Sequence, residues 1–260
     1  MTATSQRLPL ISFGFLGVGH LAEALIEGAL ASGSPASELL LSPRGRAESV
    51  AKRFGLAVAA DNGALVEATS VVVLGVRPAQ ARGALEGLPW RADQVIVSCC
   101  AGVAIADLAE AAAPARVMRA MPLTAAAIGA SPIPVHPDLA TARPLLDRQG
   151  PVLPLASEGD FEVATVSAAV YGWVQHLVGR STAWSVAEGL DPASARRLTA
   201  LTFVAAGRVL AERDAPIEDL LAELATPGGI TELGLSVLAD RDVSGAWDAA
   251  QAAVLDRLRR

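Results

Sequence analysis

The apolar positions of this chain fall into two textures. Up to about residue 156, short runs dense in Val, Ile, Leu and Phe alternate with stretches whose apolar residues recur at helical spacing; beyond it the short runs disappear. Continuous apolar runs of roughly four to eight residues read as strands buried on both faces, and helical spacing reads as amphipathic helix. The first run, Ile11 to Leu16, leads into a helical pattern through Leu25, Ile26 and Leu30. Glu38 to Leu41 predicts a second strand and Ala64 to Ala68 a brief helix. Val71 to Val76 predicts a strand buried on both faces. Gln94 to Cys99 predicts the next, followed by a helix through Leu108, and Arg116 to Ala120 another. Such alternation predicts an α/β domain with a doubly wound sheet. From Ile128 to Pro154, repeated prolines punctuate what reads as two edge strands around a short helix. Past Ser157, long Ala-, Leu- and Val-rich segments are separated by Gly189-Leu190-Asp191-Pro192, Asp214-Ala215-Pro216 and Thr226-Pro227-Gly228-Gly229. They predict helices only, with Asp191 as an N-cap and Pro192 at the first helical position. Residues 1–156 are therefore expected to form one domain and 157–260 a second, all-α domain. Its helices are apolar enough to bury a face against another subunit, an internally packed bundle being the alternative.

The turn after the first strand carries Gly17, Gly19 and Ala22 in the spacing G-x-G-x-x-A. Gly17 permits a tight turn, Gly19 removes the side chain where a phosphate must approach, and Ala22 lets helix and strand pack closely. A plain structural turn can use the same glycines, but the position between strand and helix favours a dinucleotide pyrophosphate on the helix N-terminus. The expected first domain is thus Rossmann-type. The second strand ends in Ser42-Pro43-Arg44-Gly45-Arg46, with no acid before Glu48. An NAD site usually places an acid there, whereas a hydroxyl with guanidinium groups suits a 2′-phosphate. NADP(H) is therefore favoured over NAD(H). The expected cofactor-binding set is Gly17, Val18, Gly19, His20, Leu21, Ser42, Arg44, Asn62, Val76, Arg77, Pro78, Ala101, Gly102, Met121 and Pro122. Val76 to Pro78 lie at the carboxyl end of a strand, where ligands of such sheets bind.

Composition narrows the partners. The chain has 260 residues, 52% of them hydrophobic, and a net charge of −6. An acidic balance argues against nucleic acid, which calls for a basic face. No uninterrupted apolar run is long enough to span a bilayer, and the apolar N-terminal stretch is broken by the phosphate motif, so no signal peptide is expected. The reading is a soluble, cytoplasmic protein with a small-molecule substrate and no membrane partner. Cys99 and Cys100 are adjacent, which argues against a disulfide framework or a zinc cluster; they read as small apolar residues at a strand end. No metal site is expected. His20 is expected to reach the cofactor through its backbone and His136 to lie at the surface. His176, with Tyr171 and Gln175 near it in sequence, either faces a substrate pocket or sits at a helix interface.

These residues together resemble the pyrroline-5-carboxylate reductase family over nearly the whole chain. Gly14 to Leu25 is similar to its opening motif. Val76-Arg77-Pro78, Val97 to Gly102 and Arg119-Ala120-Met121-Pro122 are similar to its later landmarks, in the same order. Ala225-Thr226-Pro227-Gly228-Gly229-Ile230-Thr231 resembles its Ser-Pro-Gly-Gly-x-Thr loop. The resemblance implies an NADPH or NADH reductase that delivers hydride to a cyclic imine carboxylate, forming proline. It also implies a helical dimerisation domain that completes the partner's active site, hence a homodimer or higher homo-oligomer.

Two departures concern the substrate. Leu123 stands where the family usually has Asn beside the nicotinamide carboxamide. Ser167-Ala168-Ala169-Val170-Tyr171-Gly172-Trp173 replaces a segment built of small residues. Hydride transfer to an imine asks the protein for positioning and a hydrogen bond to the atom whose charge changes. Thr231 is the expected catalytic residue, with Gly228, Gly229, Ile230, Tyr171 and Gln175 binding substrate. The backbone N–H groups of Gly229, Ile230 and Thr231 would receive a carboxylate at a helix N-terminus; otherwise Thr231 merely caps that helix. A hydroxyacid dehydrogenase would need a catalytic Lys in the helical domain, and the only lysine is Lys52. The alternatives left open are a reductase of another imine or a ketone, and a non-catalytic NADP-binding protein.

Overall fold

A computed structural model describes residues 11–260; the first ten residues of the expected first domain lie outside the described residues. The chain divides into two compact units, one of the described residues up to Ala168 together with Arg257–Arg260, the other Ala169–Asp256.

The first unit is built on a sheet whose described strands are β1 (Ile11–Leu16), β2 (Leu39–Leu41), β3 (Ala57–Val58), β4 (Thr69–Leu74), β5 (Val95–Ser98), β6 (Arg116–Ala120), β7 (Ile133–His136) and β8 (Val152–Pro154). Their order across the sheet is β3-β2-β1-β4-β5-β6-β7-β8. All neighbours pair parallel except β6 and β7. Successive side chains of a strand alternate between faces, so each strand feeds two cores. Phe13, Phe15, Val71, Val73, Val95 and Val97 pack on one face with Leu25 and Ile26 of α1 (His20–Ala31). Leu40, Val72, Leu74 and Ile96 pack on the other with Leu65 and Val66 of α3 (Asn62–Ala68). Between them in sequence lies α2 (Ala47–Phe54), and α4 (Ala81–Leu85), α5 (Ile105–Ala111) and α6 (Arg143–Leu146) complete the unit's short helices.

Strand β4 begins two residues before the expected Val71. Its polar start is tolerated because the Thr69 hydroxyl donates to the Leu65 carbonyl at 2.9 Å. Glu38 falls in a 3-10 turn rather than in β2. β3 has only two residues, both exposed, so it leaves no apolar signature. His136 is a further correction: it is half-buried in β7, its Nδ1 3.0 Å from the Leu155 carbonyl.

The helices that follow are α7 (Glu158–Ala187), α8 (Pro192–Glu212), α9 (Ile217–Leu224), α10 (Ile230–Asp240) and α11 (Val243–Leu258). Asp191 caps α8 as its sequence predicts, its carboxylate accepting the Ser194 N–H at 2.9 Å. That hydrogen bond holds the Asp191 carboxyl below its ordinary range. Within the second unit, Trp173 of α7 meets Trp247 of α11 edge to face, 5.5 Å between centroids. Among the described residues, only Ala195 and Leu220 are buried in this unit. No helix among the described residues is long and apolar enough to cross a membrane.

Candidate functional site

The strand order reverses direction between β1 and β4, and ligands of such sheets bind outside the carboxyl ends at that point. Here the turn after β1 lies directly against the turn after β4. Gly75 donates its N–H to the Leu16 carbonyl at 2.9 Å. Gly17 has φ +95°, and a Cβ on it would stand 2.6 Å from Val76 Cγ1 and 2.9 Å from the Gly75 carbonyl carbon. No other residue type fits there. A Cβ on Gly19, by contrast, would meet nothing within 4 Å. Gly19 is the N-cap residue of α1, and the first intrahelical bond runs from the Glu23 N–H to its carbonyl. The amides of the turn before that bond have no acceptor within the helix. Open space beside amides at a positive helix end is what a pyrophosphate requires.

A cleft of about 720 Å³ opens at this point. Of the expected cofactor residues, Gly17, Val18, Gly19, Ser42, Arg44, Asn62, Val76 and Arg77 line it together. Gly45, Gly75, Gln80, Gly83 and Ala84 line it too; Gly75 was detectable only as a glycine inside the apolar run Val71 to Val76. Asn62 is presented at the start of α3, where Asp61 caps the helix by accepting the Ala64 N–H at 2.8 Å. Ser42 is buried, and its Oγ accepts the Gly17 N–H at 3.0 Å. The hydroxyl therefore braces the glycine turn while its own proton stays available to an acceptor in the cleft.

Other expected residues lie off this cleft. Leu21 packs against the core, and Pro78 starts the 3-10 turn that carries Gln80. Ala101 and Gly102 follow β5, with Gly102 against the Leu258 backbone. Met121, Pro122 and Leu123 are buried after β6, and the Leu123 N–H donates to Ser131 Oγ at 2.8 Å. Arg46 does not line the cleft either, its guanidinium pairing with Glu23 at 2.6 Å. Burial pushes the thiols of Cys99 and Cys100 up, which favours their protonated form. Among the described residues, no three His, Cys, Asp or Glu side chains group as a metal ion needs.

Behind the carboxyl ends of β5 and β6 lies a cluster the sequence did not flag. Arg119 is 1% exposed, pairs with Glu158 at 3.0 Å and Glu162 at 2.5 Å, and stacks over Phe161. Glu158 also accepts the Ile105 N–H at 2.8 Å. One carboxylate thus ties the start of α5 to the end of β6.

The second unit carries Tyr171 and Gln175 on α7 and the Gly228–Thr231 segment. Gly228 has φ +73°, and its N–H donates to Glu232 Oε2 at 2.7 Å. Gly229, not Thr231, is the N-cap residue of α10; Thr231 is the second helical residue and half-buried. The expected three-amide receptor is reduced, because the Gly229 N–H closes the turn on the Thr226 carbonyl at 2.8 Å. The amides of Ile230 and Thr231, in the first turn, have no acceptor within the helix. Glu232 was readable as the acid that reaches back from the third helical position.

Residues 12–102 match the family model described as NADP oxidoreductase coenzyme F420-dependent, and residues 159–260 match that for pyrroline-5-carboxylate reductase dimerisation. The chain is 30% identical to the pyrroline-5-carboxylate reductase of Pseudomonas aeruginosa over 85% of its length and 86% of the relative's. It is 28% identical to pyrroline-5-carboxylate reductase 2 of Bacillus subtilis, over 87% and 86% of the two chains. The fold is also that of the Plasmodium falciparum pyrroline carboxylate reductase solved with NADP bound, at a TM-score of 0.85, 21% identity and coverage of 97% and 98%. A relative 30% identical along most of both chains, together with the dimerisation model matched at residues 159–260, leads to one assignment: the chain belongs to the pyrroline-5-carboxylate reductase family, a divergent member of these nicotinamide-dependent oxidoreductases acting on C=N groups.

Proposed function

We propose that this chain reduces the C=N bond of a cyclic imine carboxylate with NADPH in preference to NADH, converting pyrroline-5-carboxylate to proline or a related imine to its amine. The reading rests on one observation above others: Gly17, Gly19, Ser42 and Arg44 share a cleft at the switch point, with no acid at the end of β2. When bound, the coenzyme would supply the hydride to the imine carbon, and the nitrogen would take its proton from water. Gly17 to Gly19 and the first-turn amides of α1 hold its pyrophosphate. Arg44 and the Ser42 hydroxyl donate to a 2′-phosphate, and Asn62, Val76 and Arg77 border the rest of the cleft.

On the substrate side, the Ile230 and Thr231 amides receive the carboxylate at the positive end of α10. The Thr231 hydroxyl donates the hydrogen bond that orients the imine. Tyr171 and Gln175 form part of the pocket wall. A second copy of the chain covers the apolar helices, making the working form at least a dimer.

A substrate other than pyrroline-5-carboxylate is favoured by two features. Leu123 is buried and offers no side-chain hydrogen bond to a carboxamide. Trp173 fills space against Trp247 where the family's segment is built of small residues. Steady-state NADPH oxidation against a panel of cyclic imines tests the whole reading. Turnover is expected, weak with pyrroline-5-carboxylate and faster with a more apolar imine. Thr231→Ala is expected to lower kcat by roughly 10²–10³ with coenzyme affinity unchanged, and Thr231→Ser to keep much of the rate. No oxidation with any imine at micromolar enzyme would sink the proposal.

A further inference from the structure

The β2–α2 loop carries two arginines, and the structure treats them differently. The loop is tied to the phosphate turn along its length: Gly17 N–H to Ser42 Oγ at 3.0 Å, a bridge between Val18 and Gly45, and Arg46 N–H to the Val18 carbonyl at 2.9 Å. Arg44 lines the cleft. Arg46, two residues on, turns to α1 instead, where it meets Glu23 Oε2 at 2.6 Å and His20 Nε2 at 3.2 Å. A guanidinium only donates, so His20 is the acceptor in that contact and helps hold the side chain. The other oxygen of Glu23 accepts from Arg53 at 3.0 Å, and Arg53 is also held by Glu27 at 3.1 Å. Glu23 is 15% exposed and has both oxygens engaged, whereas the Arg46 side chain is 44% exposed. Arg46 therefore has room to move once its partner lets go.

We propose that Glu23 is a positioning residue for coenzyme selection: by holding Arg46 on α1 it leaves Arg44 as the loop's only arginine directed to a 2′-phosphate. The inference rests on the reading that the cleft takes NADPH. Its chemistry is a competition between two anions for one guanidinium. The carboxylate is permanent and adjacent; the phosphate carries the larger charge but arrives only with the coenzyme. The restraint weakens discrimination against NADH, which presents no phosphate to compete.

The test is fluorescence titration of the full-length protein with NADPH and with NADH. Glu23→Gln keeps the shape and removes the charge. It is expected to tighten NADPH roughly threefold to tenfold, the size of one exposed charge-assisted contact, and to leave NADH unchanged. Arg46→Ala alone is expected to change NADPH affinity less than about twofold for the same reason, while Arg46→Ala added to Glu23→Gln abolishes the gain. A gain that survives without Arg46, or equal weakening of both coenzymes in Glu23→Gln, overturns the proposal. Arg44→Ala, titrated alongside, separates two failures. Loss of NADPH preference there with no gain in Glu23→Gln overturns the restraint alone. An unchanged ratio in both variants overturns the restraint and the coenzyme reading together.

Discussion

In β4 of the first unit, Val71, Val72, Val73 and Leu74 are all buried, alternate residues serving opposite faces of one sheet. In α8 of the second unit, Ala195 alone among the described residues is buried, while Leu198 is 62% and Leu201 55% exposed. Both segments are apolar; only the first has neighbours in its own unit to cover it. A monomeric soluble protein rarely leaves a contiguous apolar patch beyond a few hundred Å² uncovered. The contrast teaches that the first unit encloses its own apolar surface, whereas the second leaves apolar helix faces open, as a unit matching a dimerisation family model would.

The comparison is broken most forcefully at the exposed helix face. Leu201→Glu costs almost nothing if Leu201 stays in water, since its side chain is already more than half exposed. If a second copy covers it, the variant buries an unpaired charge, and the dimer dissociation constant is expected to rise on the order of 10²–10³-fold. Light scattering at low micromolar concentration distinguishes these outcomes. An unaltered dimer would remove the helical unit's claim to be an interface.

A smaller effect is expected at the ligand frame. Gly17→Ala forces a Cβ against Val76 Cγ1 and the Gly75 backbone at a positive φ. Strain of that kind costs about 1–3 kcal/mol, and its relief displaces the glycine turn. Coenzyme affinity is expected to fall roughly tenfold to a hundredfold, with oligomer size unaffected in the same light-scattering run. Loss of the dimer in Gly17→Ala would show the two units to be coupled.

The strand, the glycine turn and the following helix were legible because their signals are local: a period, a positive-φ glycine, a cap. The same holds for Thr226-Pro227-Gly228-Gly229 and for Asp191-Pro192. What escaped was pairwise and distant. Nothing near Arg46 in sequence announces Glu23 as its partner, and Arg119, legible only as part of the Arg119-Ala120-Met121-Pro122 landmark, does not announce Glu158 and Glu162 as its partners. The assignment of the Gly229 N–H to the Thr226 carbonyl depends on how tightly the turn closes, which composition does not encode. Cleft membership was half legible, since residues following strand ends were foreseen but the glycines of the opposing walls were not.

The smallest expected effect sharpens the comparison within the helical unit. Hydrogen bonding holds the Asp191 carboxyl below its ordinary value. Its contribution to stability is thus present at neutral pH and is lost as pH falls from about 4 through the lower folded-state value. Asp191→Asn keeps an acceptor for the Ser194 N–H and cannot titrate there. Melting temperatures measured from acid to neutral pH are expected to show a shallower acid decline in the Asp191→Asn variant, by a small margin. Identical acid slopes would mean that the cap contributes nothing measurable.

With only Ala195 and Leu220 enclosed among its described residues, the helical unit has almost no interior of its own. On the dimer reading, maturation then proceeds on two clocks. The sheet unit closes at a rate set by its own contacts, the same in a dilute or a concentrated solution. The helices complete themselves only on encounter, a second-order event that slows as the chain is diluted. Refolding followed by coenzyme fluorescence would therefore run ahead of recovered turnover, and the gap between the two signals would widen with dilution.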